Sequence, residues 1–422
     1  MPIGGRRRTG GVTSILVATA VAGGSGYLAT AIVGATRPPT DYAAFGVFWA
    51  TIYLVIAVLS GIQQEVTRAT APVEPGTQAR SHLAFRFGAA TALVTAVALA
   101  AGAVFWAAPV FGADGADLVP PIVLGAAGYV VVAVISGTLS GLRAWTAVAF
   151  MIGVDGVLRL AAILTVLAVG GDVVALAWAI AVPFPLTPLV LWWFFRRAVV
   201  GRSTLDVGAK TLVWNSARTV AASVAIGALV SGYPLLLKLA RPDAPDAELG
   251  SVIFAVNLVR APLVIVVLAL QGYLVVAFRT AGPRSWRLFG RIAAALAGAT
   301  VVLAAAAGLA GPPILEAWWP EYVLSDWFLA ALVASSGLLG LLCVSGPLVL
   351  ARAEHGIYTT GWVVAALTTL ACLIAVPGGL AMAMIVSLVA GPVVGVAAHL
   401  AGLAVRRRQA RAADAAEADT QP

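Results

Sequence analysis

DYAAFGVFWATIYLVIAVLSGIQQEVTRA, residues 41–69, sets the fold. After one acidic residue it carries no charge from Ala43 to Ile62, then turns polar at Gln63, Gln64, Glu65 and Arg68. About 20 apolar residues cross a hydrocarbon layer as one helix, so this stretch is a membrane span with an abrupt polar exit. Runs of the same kind recur along all 422 residues. The chain is 61% hydrophobic and 10% charged, against about 25% charged in ordinary globular chains. A mean hydropathy of +0.98 leaves too little polar surface to clothe a water-soluble particle. Soluble enzymes, coiled coils and disordered chains are excluded.

The fold class expected is therefore an all-α integral membrane protein of about 12 transmembrane helices in two six-helix lobes related by an internal parallel repeat. Apolar runs place the first six spans at 13–34, 44–62, 87–109, 119–140, 146–169 and 173–195. The second six fall at 213–237, 249–277, 288–311, 326–350, 356–377 and 379–404. The expected division is a cytoplasmic N-terminal segment (1–12), an N-lobe (13–200), a C-lobe (201–404) and a cytoplasmic charged tail (405–422). The first run reads as a retained span, because no small-residue cleavage site followed by polar sequence ends it.

Charge orients the bundle. The inner segments collect Arg6, Arg7, Arg8, Arg68, Arg80, Arg86, Arg143, Arg196, Arg197, Arg202, Lys210, Arg279, Arg284, Arg287, Arg291, Arg352, Arg406, Arg407, Arg408 and Arg411. The outer loops hold Arg37, Lys238 and Arg241, together with acidic residues that include Asp41, Asp114, Asp172, Asp246 and Glu321. Lys and Arg in short loops resist translocation, so both termini are expected in the cytoplasm of a multi-pass cell-membrane protein. The net charge of +8 is explained by this placement and implies no nucleic-acid partner. Arginine supplies 24 of the 26 basic residues, a bias that fits a GC-rich bacterial genome. Cys343 and Cys372 lie in apolar runs and imply no disulfide framework.

The halves resemble each other. With Gly46 set against Gly250, each half opens with an acidic start and a glycine, continues as a long apolar helix, and leaves through a glutamine and an arginine. Phe111-Gly112-Ala113-Asp114 and Trp318-Trp319-Pro320-Glu321-Tyr322 recur at similar distances downstream. Parallel repeats of this kind characterise transporters with a midplane site between two lobes.

No nucleotide-binding signature, metal cluster, cofactor motif or nucleophile elbow is present. The histidines His82, His355 and His399 are isolated and lack metal-ligand spacing. Gly23, Gly24 and Gly26 within span 1 suit packing or a bend. Pro183, Pro185 and Pro188 break span 6, as a static kink or as the wall of a cavity. The informative residues are ionisable groups at bilayer depth, where each costs about 2.5–3.5 kcal/mol to insert. Asp155 and Arg159 stand four apart in span 5, acid first, and suit either a structural ion pair or a coupling site. Arg260 lies about 16 Å along span 8 from its outer end, with no acid in helical reach. On a regular helix Asn257 and Gln271 share its face, so these three are expected to bind substrate. Arg218 enters span 7 by about five residues, within snorkelling reach of the inner headgroups.

Three stretches carry a family resemblance: PTDYAAFGVFWATIYLVIAVLSGIQQEVTRA (39–69), GTLSGLRAWTAVAFMIGVDGVLRLAAIL (137–164) and YPLLLKLARPDAPDAELGSVIFAVNLVRAPL (233–263). They look like polysaccharide-transporter family proteins, oligosaccharide flippases related to multidrug and toxin extrusion transporters and to lipid II flippases. The resemblance covers residues 12 to 404. It implies a non-enzymatic flippase that moves a polyprenyl-linked oligosaccharide from inner to outer leaflet by alternating access. It also implies membrane lipids and pathway glycosyltransferases as partners, and cavity arginines that hold the lipid phosphates. Here that role falls on Arg260 and Arg218. Spans 1 and 2 carry no arginine, which sets the chain apart from lipid II flippases. The alternatives are a cation antiporter of the same superfamily, for which Asp155 is the acidic residue available, and a membrane-embedded glycosyltransferase. The short outer loops leave no room for the acidic catalytic residues of the latter.

Overall fold

The computed structural model describes residues 6–73, 81–112 and 115–419. Side chains at 6–12, 81, 197–198, 222, 260–269, 272 and 410–419 lie outside the description. Arg80 and Asp114, and the side chains of Arg6, Arg7, Arg8, Arg197 and Arg411, thus fall outside it.

Fifteen α-helices are described: α1 (Arg6–Thr36), α2 (Pro39–Ala69), α3 (Ser81–Phe111), α4 (Gly115–Gly141), α5 (Trp145–Ala168), α6 (Val173–Ala181), α7 (Pro183–Val199), α8 (Ala209–Val230), α9 (Tyr233–Ala240), α10 (Asp246–Ala255), α11 (Ala261–Ala281), α12 (Ser285–Trp318), α13 (Asp326–Leu350), α14 (His355–Ala375) and α15 (Leu380–Asp419). A π-turn, Val256–Arg260, joins α10 to α11. Two three-residue strands, β1 (Thr70–Pro72) and β2 (Ser203–Leu205), pair antiparallel with Thr70 opposite Leu205. The protein is all-α and built for a membrane: eleven helical stretches among the described residues are long and apolar enough to span one. The expected eighth span, 249–277, is the α10–π–α11 stretch, and its latter part from Tyr273 runs on into the next span.

Two apolar runs are interrupted where the sequence places proline. Span 6 divides into α6 and α7 at Val182, with Pro183 as the first residue of the new helix. Span 7 divides into α8 and α9 at Ser231-Gly232, with Pro234 in the first turn of α9. Proline lacks the N–H that would bond the preceding turn, and its ring clashes with that turn's carbonyl. The expectation of an unbroken helix over 213–237 fails for this reason.

The chain packs as two compact units, Met1–Phe254 and Ala255–Pro422. In the first, α2 and α4 are central: α2 packs on α4 and α8, α3 covers α4, and α1 lies along α5. Tyr42, Phe45, Phe48 and Ile52 on α2, with Leu118 and Ile122 on α4, are fully enclosed. Gly46 and Gly250 occupy reciprocal places. A Cβ on Gly46 would overlap Ile253, and one on Gly250 would overlap the Pro39 carbonyl, so each glycine admits the helix that carries the other. In the second unit α13 is the buried helix, packed by α11, α12 and α15, and α14 lies against α15.

Candidate functional site

The break at Val182 builds the polar centre of the first unit. Pro183 and Pro185 have no N–H to return to the Ala179 and Ala181 carbonyls, and between these Arg159 on α5 donates from Nη1 to the Ile180 carbonyl at 2.9 Å. Its Nη2 donates to Asp155 Oδ2 at 2.5 Å, one helical turn earlier. The guanidinium lies 3.9 Å from the centroid of Phe184 on α7 and 5.6 Å from that of Tyr53 on α2. Thr187 Oγ1, on α7, stands 3.5 Å from the other Asp155 oxygen. Arg159 is 3% exposed and Asp155 23%. A buried arginine is tolerated when a carboxylate, a carbonyl and aromatic faces replace its water, and all three are present. Aromatic residues extend the wall: Tyr129 packs edge-on against Phe184, and Trp49 stacks on Tyr53 at 4.8 Å. Asp155 and Arg159 are thus brought together as the sequence suggests, and the pair ties α5 to the broken α6–α7 helix.

A second buried carboxylate sits at the polar end of α2. Glu65 is 4% exposed and receives a fork from Arg68, Nε to Oε2 at 2.9 Å and Nη2 to Oε1 at 2.7 Å. Asn215 on α8 donates to Oε1 at 2.9 Å, and Arg68 also reaches Asp206 at 3.5 Å. One turn away on each helix, Thr219 Oγ1 donates to the Gly61 carbonyl at 2.8 Å. A Cβ on Gly61 would run into the backbone of Thr219 and Val220, so α2 and α8 cross at main-chain contact there. The β1–β2 ribbon closes the same end. The i, i+3 spacing of Glu65 and Arg68 was legible in the sequence; the partner 150 residues on was not.

The expected substrate residues fare differently. Arg218 is exposed on α8, beside Thr219. Arg260 ends the π-turn, and its side chain lies outside the described residues. Asn257, inside that turn, and Gln271, on α11, are both partly exposed. The shared face of Asn257, Arg260 and Gln271 assumed a regular α-helix. An i→i+5 turn changes the rotation per residue between Asn257 and Arg260, so α-helical phase no longer places Asn257 with the other two, whereas α11 runs as a regular helix from Ala261 through Gln271. Single-turn π-bulges recur at functional sites, and no sequence signal announces this one. Among the described residues no group of three His, Cys, Asp or Glu can hold a metal ion.

Across 92% of the chain the backbone superposes on 96% of a solved multidrug resistance MATE family transporter of the MOP superfamily, in its inward-facing conformation, with a TM-score of 0.64 and 14% identity. A MOP superfamily transporter from Pyrococcus furiosus, described as having a binding pocket of reverse polarity that suggests a different function, matches at TM-score 0.60 and 12% identity, over 93% of this chain and 95% of its own. The fold is that of the MOP superfamily transporters. No family model matches the chain. In sequence it is 30% identical over 405 residues to the uncharacterized protein Mb3654 of Mycobacterium bovis, covering 95% of this chain and 94% of that one. The chain belongs to the family of this mycobacterial protein.

Proposed function

We propose that the protein is a flippase for a polyprenyl-linked oligosaccharide or related cell-envelope precursor, working in the cell membrane by alternating access of an N-lobe (13–200) and a C-lobe (201–404). The observation that carries this is the disposition of charge. In the first unit the buried Glu65 and the partly exposed Asp155 are each held by an arginine, so neither offers free negative charge to a cationic substrate. Arg218 has no bonded acid among the described residues, and Arg260 stands in a π-turn in the middle of a long apolar stretch. Guanidinium groups bind phosphate oxygens as a fixed fork, which suits a lipid diphosphate headgroup. The binding pocket of reverse polarity described for the Pyrococcus protein supports a fold in which pocket charge differs between members.

In this mechanism the anionic headgroup enters from the inner leaflet, pairs with Arg260 and Arg218, is oriented by Asn257 and Gln271, and leaves outward when the lobes rock. No chemical step occurs. The Asp155–Arg159 pair ties α5 to the broken α6–α7 helix, and Glu65 with Asn215 latches α2 to α8. The competing reading, a multidrug-type cation antiporter, would need Asp155 released from Arg159.

Purified protein in nanodiscs tests the assignment. The Arg260→Ala variant is expected to keep its melting temperature and lose at least tenfold in affinity for a lipid-linked saccharide, with Arg260→Lys intermediate because an ammonium lacks the fork. Undiminished binding by a folded Arg260→Ala variant ends the phosphate-clamp reading. Binding of an organic cation that is retained by the Arg260→Ala variant and lost by Asp155→Asn protein shown to be folded by its melting curve would establish the antiporter instead.

A further inference from the structure

Three segments of the second unit meet at one end of its helices: the start of α12, the turn from α13 to α14, and Arg406–Arg407 on α15. Arg352 occupies the turn, which is closed by its own N–H on the Val349 carbonyl at 3.0 Å and by Ala353 N–H on the Leu350 carbonyl at 2.9 Å. Its Nη2 donates to Ser285 Oγ at 2.8 Å, and Ser285 is buried at the first position of α12. The guanidinium carbon lies 5.1 Å from the centroid of the Trp286 ring. Arg352 is exposed all the same. A long surface side chain loses rotamer freedom when it is fixed in this way, so its place is set before any ligand arrives.

A second cation stands beside it without a counter-ion. Glu354, two residues after Arg352, is 3.4 Å from Arg406 Nε, which brings α15 against the turn and engages that carboxylate. Arg407 is next in the chain, exposed, and its charge acts on Arg352. Lost hydration and, after it, this like charge hold the Arg352 pKa below the usual guanidinium value. Among the described residues neither Arg352 nor Arg407 has an ion-pair partner. The acids further along α15, Asp414, Glu417 and Asp419, stand about 10 Å or more past Arg407 along the helix axis. Arg284 and Arg287, exposed on either side of Ser285 and Trp286, add charge of the same sign.

We propose that Arg352 and Arg407 bind the phosphate of an anionic phospholipid, with Trp286 against the headgroup and Ser285 holding Arg352 in position. Depth identifies the ligand. The membrane-length stretch of α13 ends at Leu350 and that of α14 begins at His355, so the turn lies at the boundary of the apolar layer, where tryptophan also concentrates. The anion abundant at that level is lipid phosphate. A guanidinium grips phosphate oxygens as a fork, and basic pockets between helix ends take lipid headgroups. Positive charge that serves only to orient a chain requires no fixed geometry, whereas the Ser285 bond and the Trp286 contact impose one. The site depends neither on the substrate path proposed above nor on which side of the membrane these helix ends face.

Native mass spectrometry of the purified protein, titrated with phosphatidylglycerol or phosphatidylcholine, counts the bound lipids. The wild type is expected to take its first phosphatidylglycerol about tenfold more tightly than phosphatidylcholine, and the Arg352→Gln, Arg407→Gln variant to lose that preference. The Arg86→Gln, Lys210→Gln variant, which removes two exposed charges from the first unit, should keep it. Melting curves establish that each variant is folded. Arg407→Gln alone, at an exposed position, should lower the preference about threefold. Equal loss in both double variants would reduce the attraction to diffuse surface charge and overturn the site, as would an unchanged preference in folded Arg407→Gln protein. Washing with millimolar inorganic phosphate is expected to leave the lipid bound. Its displacement would assign the cluster to a soluble phosphate and end the lipid reading.

Discussion

Glu65 Oε1 accepts a hydrogen bond from Asn215 Nδ2 at 2.9 Å and so joins α2 to α8 across 150 residues of chain. The Arg68 partner is half exposed, so that fork is screened by solvent and contributes little. The bond from Asn215 reaches a carboxylate that is 4% exposed. Replacing Asn215 with Leu is therefore expected to cost about 1–2 kcal/mol, seen as a lower melting temperature of the purified protein. Glu65→Gln, which keeps an oxygen for Asn215, should cost less than Glu65→Ala. Equal melting for all three variants and the parent would show that the contact carries no stability.

The Asp155–Arg159 pair makes a stronger demand, because Arg159 is 3% exposed and its charge cannot turn to water. Asp155→Asn is expected to destabilise by about 3–5 kcal/mol, the range for stripping one partner from a buried pair, and to lower folded yield. The double variant Asp155→Asn, Arg159→Gln should recover much of that loss. A single variant that folds normally yet fails in transport would make the pair a coupling site rather than a tie.

Orientation is checked by thiol labelling on a background lacking Cys343 and Cys372. Ala116→Cys and Lys210→Cys both fall at exposed positions. An impermeant reagent applied to intact cells is expected to modify the first alone, and the second only after lysis. Labelling of Lys210→Cys in intact cells would reverse the topology.

The apolar runs were legible because span length is dictated by the hydrocarbon layer, and the breaks before Pro183 and near Pro234 were carried by residues whose backbone chemistry forbids continuation. Even so, the second break was passed over, since 213–237 reads as one apolar window. Asp155 and Arg159 declared themselves by helical spacing. The rest of their setting did not: Ile180, Phe184 and Tyr53 come from three other helices, and nothing local ties them to span 5. His399 looked isolated for the same reason, its Ser345 partner being 54 residues away. The π-turn at Val256–Arg260 is an angular change without a residue signature, so the face assigned to Asn257 and Gln271 rested on the wrong pitch.

The separation of Glu65 from Asn215 also has a temporal side. A membrane chain is delivered to the bilayer from its N-terminus, at about 5–20 residues per second. The 150 residues between the two therefore take roughly 7–30 s to emerge, during which α2 is inserted and its α8-facing surface has no neighbour. Throughout that wait Glu65 has Arg68 in the same helix, three residues on, to shelter its charge. In order of synthesis the contact within the helix therefore comes first and the bond to Asn215 second.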